Sequence, residues 1–248
     1  MSIPPDSEIA DDLSRAWRVH LLDVPPAASR AGVQVARVDF DWRVPLASPA
    51  YAALSDAERA RAGRYLRHED AVRSAATRAA LRDVLGAALG IAPKDVAIVV
   101  DASGRPSLDP AHRASLDFNV SHAGDHALIA WAATGRVGVD IESCNRTTDW
   151  RALTREVCAA AEAAYLDGLP LAARADAFMR VWAAKEALLK ALGTASSAAG
   201  AVRGRAAARC GDAATTIVER PRPRRRGRVR RGLARRGARL RGVRRVAR

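Results

Sequence analysis

The sequence predicts an α+β fold, in which two helical segments enclose a compact β region. Apolar residues recur with helical spacing over residues 54–90, and the same pattern returns over residues 150–193. Between them, short runs with strand character are separated by turns that contain glycine. With 248 residues, 49% of them hydrophobic, the chain can build a substantial core as one medium domain or two small lobes.

The first helical segment carries clear start and stop signals. Ser55 is a good N-cap, and Glu58 three positions later completes a capping box. Gly90, followed by Pro93, predicts the end of the segment. Upstream, the alternating pattern of "GVQVARVDFDW" predicts one strand near residues 32–42.

Strands are predicted to dominate the middle of the chain. "DVAIVVD" (95–101) and "LDFNVSH" (116–122) are expected to be strands, with a turn at "SGRPSL" (103–108) between them. "HALIAWAATGRVGVDIE" (126–142) predicts an apolar strand, a Thr-Gly turn and a returning strand. Two further helices are expected, at 150–169 and 171–193.

The net charge of +14 is a property of the C-terminal region alone. Residues 195–248 contain 18 arginines, no lysine, one aspartate and one glutamate, and the rest of the chain holds 23 basic and 25 acidic residues. A segment with so little apolar surface to bury is expected to be disordered. The nearly neutral body does not indicate a nucleic-acid-binding protein.

The sequence contains nothing that predicts export or membrane insertion. No stretch approaches the roughly 20 apolar residues of a membrane span, and the acidic start lacks the apolar core of a signal peptide. The three cysteines lack C-x-x-C spacing, so they predict free thiols and no zinc site. We therefore expect a cytoplasmic protein, and a monomer.

Two acidic motifs suggest a site for a hard cation. In an extended segment Asp140 and Glu142 project from the same face, and on a helix Trp182, Glu186 and Lys190 share one face. Three carboxylates of this kind suit Mg²⁺, which takes a few carboxylates together with phosphate oxygens. Lys190, one turn beyond the third carboxylate, would face the same phosphates.

Each motif alone has a simpler structural explanation. Most D-x-E pairs form the exposed face of a half-buried strand, and most E-x-x-x-K pairs are surface ion pairs worth about 0.3 to 0.5 kcal/mol. Their occurrence together with Ser121 and His122, which end a predicted strand beside a glycine, favours a phosphate-binding site.

Together these residues resemble the Sfp-type 4'-phosphopantetheinyl transferases, which activate carrier proteins of peptide, polyketide and fatty-acid synthesis. The three motifs that carry the resemblance occur in the family's order: "FNVSH" (118–122), "GVDIE" (138–142) and "WAAKEALLK" (182–190). "RYLRHEDAVR" (64–73) and "GRP" (104–106) match upstream family elements. The resemblance covers roughly residues 50–193.

The resemblance implies a site and a reaction. It implies that Mg²⁺ holds the pyrophosphate of coenzyme A on Asp140, Glu142 and Glu186, and that Glu186 or a metal-bound water takes the proton from the carrier-protein serine. Lys190 would stabilise the pyrophosphate and the leaving group. The residues implied to bind the rest of coenzyme A are Arg61, Arg73, Ser74, Arg105, Ser121 and His122.

The resemblance also implies two similar α/β lobes related by a pseudo-two-fold axis. We place the N-terminal lobe at 1–135, a partial C-terminal lobe at 136–194, and an Arg/Ala-rich tail at 195–248. We interpret the tail as the product of a GC-rich gene read in a shifted frame. The alternative is a catalytically degenerate transferase body whose basic arm binds nucleic acid or an acidic partner.

Overall fold

The computed structural model describes residues 16–101, 104–143 and 149–193 of the chain. Two strands and three helices come first, four consecutive strands follow, and three helices end the described part of the chain. The strands are β1 (Trp17–Leu22), β2 (Gln34–Phe40), β3 (Ile98–Val100), β4 (Pro106–Leu108), β5 (Asp117–Ala123) and β6 (His126–Ala132). The helices are α1 (Pro26–Arg30), α2 (Asp56–Ala62), α3 (His68–Leu89), α4 (Trp150–Val157), α5 (Ala160–Gly168) and α6 (Leu171–Leu192). Short 3₁₀ turns occupy Pro49–Tyr51, Pro93–Asp95 and Pro110–His112.

Four strands form one antiparallel sheet in the order β1-β2-β6-β5, and β3 pairs with β4 in a separate ribbon. The sheet contains a tight hairpin, in which Ala123 of β5 faces His126 of β6. Gly124 in its two-residue turn has a φ of 55°, a conformation that glycine adopts without a steric penalty. The mixed α+β architecture expected from the sequence is therefore confirmed.

Both faces of this sheet are covered. One face packs on α3 through a core that includes Val38, Phe118, Ile129 and Trp131. The other face carries Val35, Leu128 and Ala130, which pack against Val137, Val139 and Ile141. Alternate residues of each strand point to opposite faces, so neighbouring positions of β5 serve different sides of the sheet.

The helices lie where the sequence predicts them, but two of the predicted helices are each divided into two. The segment predicted at 54–90 divides into α2 and α3, and the one predicted at 150–169 divides into α4 and α5. The capping box at Ser55 is present, because its hydroxyl accepts from Glu58 N and the Glu58 carboxylate accepts from Ser55 N. Gly90 ends α3 with a left-handed φ of 70°.

Two β predictions need correction. The turn expected at 103–108 contains the short strand β4. The returning strand expected at the end of 126–142 does not form, and residues 137–142, here called the acidic segment, run beside β5 without a backbone ladder. Val137 N donates to Asp117 Oδ2 (2.7 Å) and Val139 N donates to Asn119 Oδ1 (2.9 Å), because side-chain oxygens of β5 take the place of backbone acceptors.

The acidic segment lies directly against α6. A Cβ added at Gly138 would clash with the carbonyl oxygen of Ala187 and lie 2.6 Å from Ala191 N, so only glycine permits this approach. Buried Lys185 fixes α6 from another side. Its ammonium donates to Val157 O (2.8 Å) and pairs with Glu162 Oε2 (2.7 Å). The helix that carries Glu186 is thus held between the acidic segment and α4–α5.

Several predictions concern the C-terminal region, of which the structure describes only residues 149–193. In the described part of the C-terminal region, residues 149–193 contribute three helices and no strand. The tail assigned to 195–248 lies outside the described residues. Within the described ranges, no helix is long and apolar enough to cross a membrane.

Candidate functional site

The acidic segment presents its two carboxylates to α6. Its odd-numbered residues, from Val137 to Ile141, bury their side chains against the sheet. Asp140 Oδ1 accepts from Lys190 Nζ (2.6 Å) and Glu142 Oε1 accepts from Trp182 Nε1 (3.1 Å). The same-face relationship predicted for Asp140 and Glu142 therefore holds for an extended segment that is not a strand.

Glu186 lies on the face of α6 that meets both carboxylates. It comes four residues after Trp182, which contacts Glu142, and four residues before Lys190, which contacts Asp140. Residues spaced by four stand one above the other on a helix. Glu186 is only 9% exposed, so the third carboxylate lies in the interface between α6 and the acidic segment.

The donor set suits a hard cation, although the three carboxylates are not gathered into a closed ligand group. Over residues 16–101, 104–143 and 149–193, no cluster of three His, Cys, Asp or Glu side chains has metal-binding geometry. Asp140, however, is 4% exposed, and its buried Oδ2 atom has no hydrogen-bond partner among the residues that the structure describes. A buried carboxylate oxygen without a donor is costly, and a cation at this atom would remove that cost. Oxygen ligands of this kind fit Mg²⁺.

Lys190 connects the acidic segment to β5. Its ammonium donates to Asp140 Oδ1, to Ser121 Oγ (3.0 Å) and to Val139 O (3.4 Å). The Ser121 hydroxyl in turn donates to Asp140 Oδ1 (2.8 Å). Ser121, expected beside the phosphate of coenzyme A, thus has its side chain on the carboxylate side of the sheet.

The opposite face of β5 borders a cleft of about 370 Å³, here called the basic cleft. Four of the side chains that the resemblance assigns to coenzyme A line this one cavity: Arg61, Arg73, Ser74 and His122. The carboxylates of Glu58 and Asp70 also line it, together with Tyr65 and further residues of α3, β5 and the β3–β4 ribbon. Residues far apart in sequence are therefore gathered around a cavity whose cationic side chains suit an anion.

Arg73 is held in place within the basic cleft. It pairs with Asp70 (2.5 Å), donates to Gly124 O (3.4 Å), and its guanidinium lies 5.4 Å from the ring centroid of Trp42. The pKa of His122 is lowered below its ordinary value because burial and the charge of Arg73 disfavour the imidazolium. A bound anion would reverse this effect.

Arg105 does not line the basic cleft, although its neighbours Gly104 and Pro106 do. Its guanidinium donates to Asp117 Oδ2 (2.8 Å) and to Val137 O (3.2 Å), and also to the carbonyls of Phe118 and Lys190. This guanidinium has five donors in a fixed fork, which suits a junction between several backbone segments. The structure therefore places Arg105 at the junction of β5, the acidic segment and α6, and its assignment to coenzyme A stays a prediction.

Sequence reasoning missed two sets of residues. Asp117 and Asn119 position the acidic segment, and their signal was the alternation of polar residues at 117, 119 and 121. Arg78 lines the basic cleft one helical turn after Ser74. Its spacing from Ser74 was the only sign, since arginines on a helix are usually solvated.

Comparisons with known proteins place these features in a family context. Residues 136–212 match a family model described as "4'-phosphopantetheinyl transferase superfamily", and residues 45–134 match one described as "4'-phosphopantetheinyl transferase, N-terminal". The chain is 36% identical over 159 residues to the 4'-phosphopantetheinyl transferase HetI of Nostoc sp.. This alignment covers 61% of the chain and 67% of that relative.

Two other relatives match over shorter shares of their length. The L-aminoadipate-semialdehyde dehydrogenase-phosphopantetheinyl transferase of Schizosaccharomyces pombe is 32% identical over 58% of the chain and 61% of that protein. The 4'-phosphopantetheinyl transferase AcpT of Escherichia coli O157:H7 is 33% identical over 39% of the chain and 48% of that protein. The chain thus spans between about half and two thirds of these three relatives.

Proposed function

Because the chain belongs to the 4'-phosphopantetheinyl transferase superfamily, we propose that it transfers the 4'-phosphopantetheine group of coenzyme A to a serine of an acyl or peptidyl carrier protein. The observation that carries this proposal is the arrangement on the two faces of β5. His122 borders the basic cleft on one face, and Ser121 on the other face bonds Asp140 and Lys190. The basic cleft would hold the anionic end of one ligand, and the face of β5 that carries Ser121 would hold its reacting end.

We propose that the basic cleft holds the anionic nucleotide end of coenzyme A. Arg61, Arg73, Ser74 and His122 line it, and guanidinium and imidazolium groups suit phosphate recognition. The salt bridge and hydrogen bond that hold Arg73 reduce the side-chain entropy lost on binding. Ser121 keeps its proposed place beside the ligand through its contact with Lys190.

We propose that Asp140, Glu142 and Glu186 would hold Mg²⁺. The ion would neutralise charge on the pyrophosphate as the phosphodiester breaks. Trp182 orients Glu142 by its indole hydrogen bond, and Lys190 orients Asp140. Lys190 lies where its ammonium can stabilise the departing nucleotide phosphate.

In the proposed reaction the serine oxygen of the carrier protein attacks the phosphorus that bears the pantetheine group. The bond from that phosphorus to the bridging oxygen of the pyrophosphate breaks, and 3',5'-adenosine bisphosphate leaves with the electron pair. Glu186 accepts the serine proton, either directly or through a water. Its burial on the shared face of α6 supports its role as the general base.

A mass measurement on a carrier protein tests this function. The full chain is incubated with an apo acyl or peptidyl carrier protein, coenzyme A and Mg²⁺, and intact-protein mass spectrometry should show one added phosphopantetheine per carrier. A carrier protein with its acceptor serine changed to alanine is the matched control. No modification at any Mg²⁺ concentration would contradict the proposal.

We also propose the family's two-lobed organisation, with lobes at 1–135 and 136–194, and a monomeric cytoplasmic enzyme. The match to the superfamily extends to residue 212, past the proposed lobe boundary. Sequencing the coding DNA tests our interpretation of residues 195–248. If no adjacent frame after Thr194 encodes an alternating strand pattern, the frameshift interpretation is wrong.

A further inference from the structure

Arg78 on α3 lines the basic cleft, and the described residues satisfy only part of its hydrogen-bonding capacity. It lies in the same cavity as Arg61, Arg73 and His122, which the carboxylates of Glu58 and Asp70 also line. Its side chain is 23% exposed and its Nη1 atom is buried without a hydrogen-bond partner among the described residues. An arginine offers five N–H donors, and the two on Nη1 of Arg78 have no partner among the described residues.

Glu58 compensates Arg78 only in part. Glu58 Oε1 lies 3.4 Å from Arg78 Nε, which is a long ion pair. The other carboxylate oxygen, Oε2, accepts from Ser55 N (2.8 Å) and from Arg82 Nε (2.8 Å). One carboxylate thus serves a helix N-terminus and two guanidinium groups, which leaves a net positive charge at this side of the cleft.

Arg82, one turn further along α3, shows what a purely structural arginine looks like in the same helix. It is 5% exposed, bonds Glu58, and donates to the carbonyls of Pro93, Lys94 and Val96. Those contacts fix the end of α3 to the following 3₁₀ turn. Within the described ranges Arg78 makes no comparable set of contacts, and it borders a cavity instead.

The electrostatic surroundings of Arg78 disfavour its charge in the free protein. Burial is the largest cause that lowers its pKa, and the charges of Arg82 and Arg61 add to it, while Glu58 acts in the opposite direction. An arginine remains protonated under such conditions. The free protein therefore contains a charged guanidinium whose burial is energetically unfavourable. An anion in the cleft would remove this cost.

We propose that Arg78 is a further anion ligand of the basic cleft, and that it selects ligands carrying a doubly charged terminal phosphate. This inference rests on the proposed function, in which the ligand is coenzyme A and the terminal phosphate is its 3'-phosphate. Arg73 is already engaged by Asp70 and Gly124. Those contacts occupy donors of Arg73, whereas Arg78 keeps donors on Nη1 that no contact with the described residues occupies. Arg78 can therefore offer these donors to a phosphate.

The test measures binding of coenzyme A and of dephospho-coenzyme A, which lacks the 3'-phosphate, to the full chain by calorimetry. Arg78→Gln is expected to weaken coenzyme A binding by about 10- to 100-fold, the usual size of a hydrogen bond to a charged group. The same variant should bind dephospho-coenzyme A with an affinity within about two-fold of wild type. This ligand lacks the 3'-phosphate that Arg78 is proposed to contact. Arg78→Lys should recover part of the selectivity through its charge.

Arg155→Gln, an exposed arginine on α4, is the matched control and should change neither affinity. Thermal unfolding of each variant reports whether the fold is retained. Equal weakening of both ligands by Arg78→Gln, or no weakening, would overturn the role of Arg78 while the wild-type transfer reaction stands. Failure of wild-type protein to bind coenzyme A or 3',5'-adenosine bisphosphate would overturn both the proposed function and this inference.

Discussion

The ammonium of Lys190 lies 2.6 Å from Asp140 Oδ1, so a protein cation already occupies one side of the carboxylate proposed to bind Mg²⁺. Asp140 is nearly inaccessible to water, whereas the Lys190 side chain is 27% exposed. Removing one partner of a buried pair leaves an uncompensated charge. The protein's own lysine and the proposed metal would therefore compensate the same carboxylate.

We predict that Lys190→Met lowers the free energy of unfolding by about 3 kcal/mol in the presence of EDTA. Mg²⁺ should restore part of that loss, because the ion binds folded protein at the carboxylate that lost its lysine. Urea denaturation with EDTA or Mg²⁺ measures both effects. Lys94→Met, in an exposed pair with Asp95, is the control, and a Lys190 variant indifferent to Mg²⁺ would contradict the shared role.

Glu186→Gln should lower kcat for carrier-protein modification by about 10²- to 10⁴-fold, as expected for loss of a general base or metal ligand. Glutamine keeps the size of this 9%-exposed side chain, so the fold should be retained better than with Glu186→Ala. Steady-state kinetics and thermal unfolding together separate chemistry from stability. Glu156→Gln, exposed on α4, serves as control, and retained turnover in the Glu186 variant would show that the base is elsewhere.

His122 should make coenzyme A binding depend on pH. Its pKa in the free protein lies below 6.5 because of burial and Arg73, and a bound phosphate would raise it. Binding should therefore take up a proton, and affinity should fall as the pH rises through the interval between the free and bound pKa values. Calorimetry between about pH 5.5 and 8 in buffers of different ionisation enthalpy measures this uptake.

His122→Gln isolates the histidine from the phosphate's own titration, because only the histidine's share of the uptake is lost. The same shift has a stability consequence of fixed sign. A histidine with a lowered folded-state pKa binds its proton more weakly in the folded than in the unfolded chain. Stability should fall as the pH drops through 6.5 toward the folded pKa, and a wild-type curve without this loss would argue against a lowered pKa of His122.

Gly138→Ala should destabilise the protein by about 1 to 3 kcal/mol, the usual cost of forcing extra atoms into a packed interface. The added methyl group would collide with the backbone of α6 at Ala187 and displace the acidic segment. Gly63→Ala is a matched control, since its Cβ would meet only ordinary contacts at 3.5 Å. Urea denaturation compares them, and equal stability of the two variants would show that the close approach is not required.

Arg105→Met should lower the free energy of unfolding by about 3 kcal/mol, because it leaves Asp117 without its guanidinium partner. If Arg105 only supports the fold, the variant measured below its unfolding temperature should bind coenzyme A within a few-fold of wild type. Denaturation and calorimetry report the two quantities independently. A large loss of affinity for coenzyme A with unchanged stability would show that Arg105 contacts the ligand.

Local patterns predicted the elements and the residues that share a face. The spacing of Trp182, Glu186 and Lys190 is sufficient to place them on one side of a helix, and two of them contact the acidic segment there. The alternation of apolar and acidic residues around Asp140 likewise predicted that the side chains of Asp140 and Glu142 lie on the same face. These relationships depend only on helix and strand periodicity, which any single sequence displays.

Long-range partners could not be read from the sequence. The returning strand is absent because Asp117 and Asn119 offer side-chain acceptors to Val137 and Val139, an arrangement that alternation alone cannot distinguish from a ladder. The role of Arg105 depends on carbonyls contributed by three separate segments. Arg78 was overlooked because the unused donors of an arginine are visible only once its surroundings are known.

The opposite orientation of Ser121 and His122 on β5 also limits the shape of any molecule that reaches both. Consecutive Cα atoms are about 3.8 Å apart, yet their side chains leave the strand in opposite directions. A ligand whose phosphate lies beside His122 and whose reacting phosphorus lies beside Lys190 cannot run straight through the sheet. It must fold back around the edge of β5, so the protein would bind coenzyme A as a hairpin-shaped molecule.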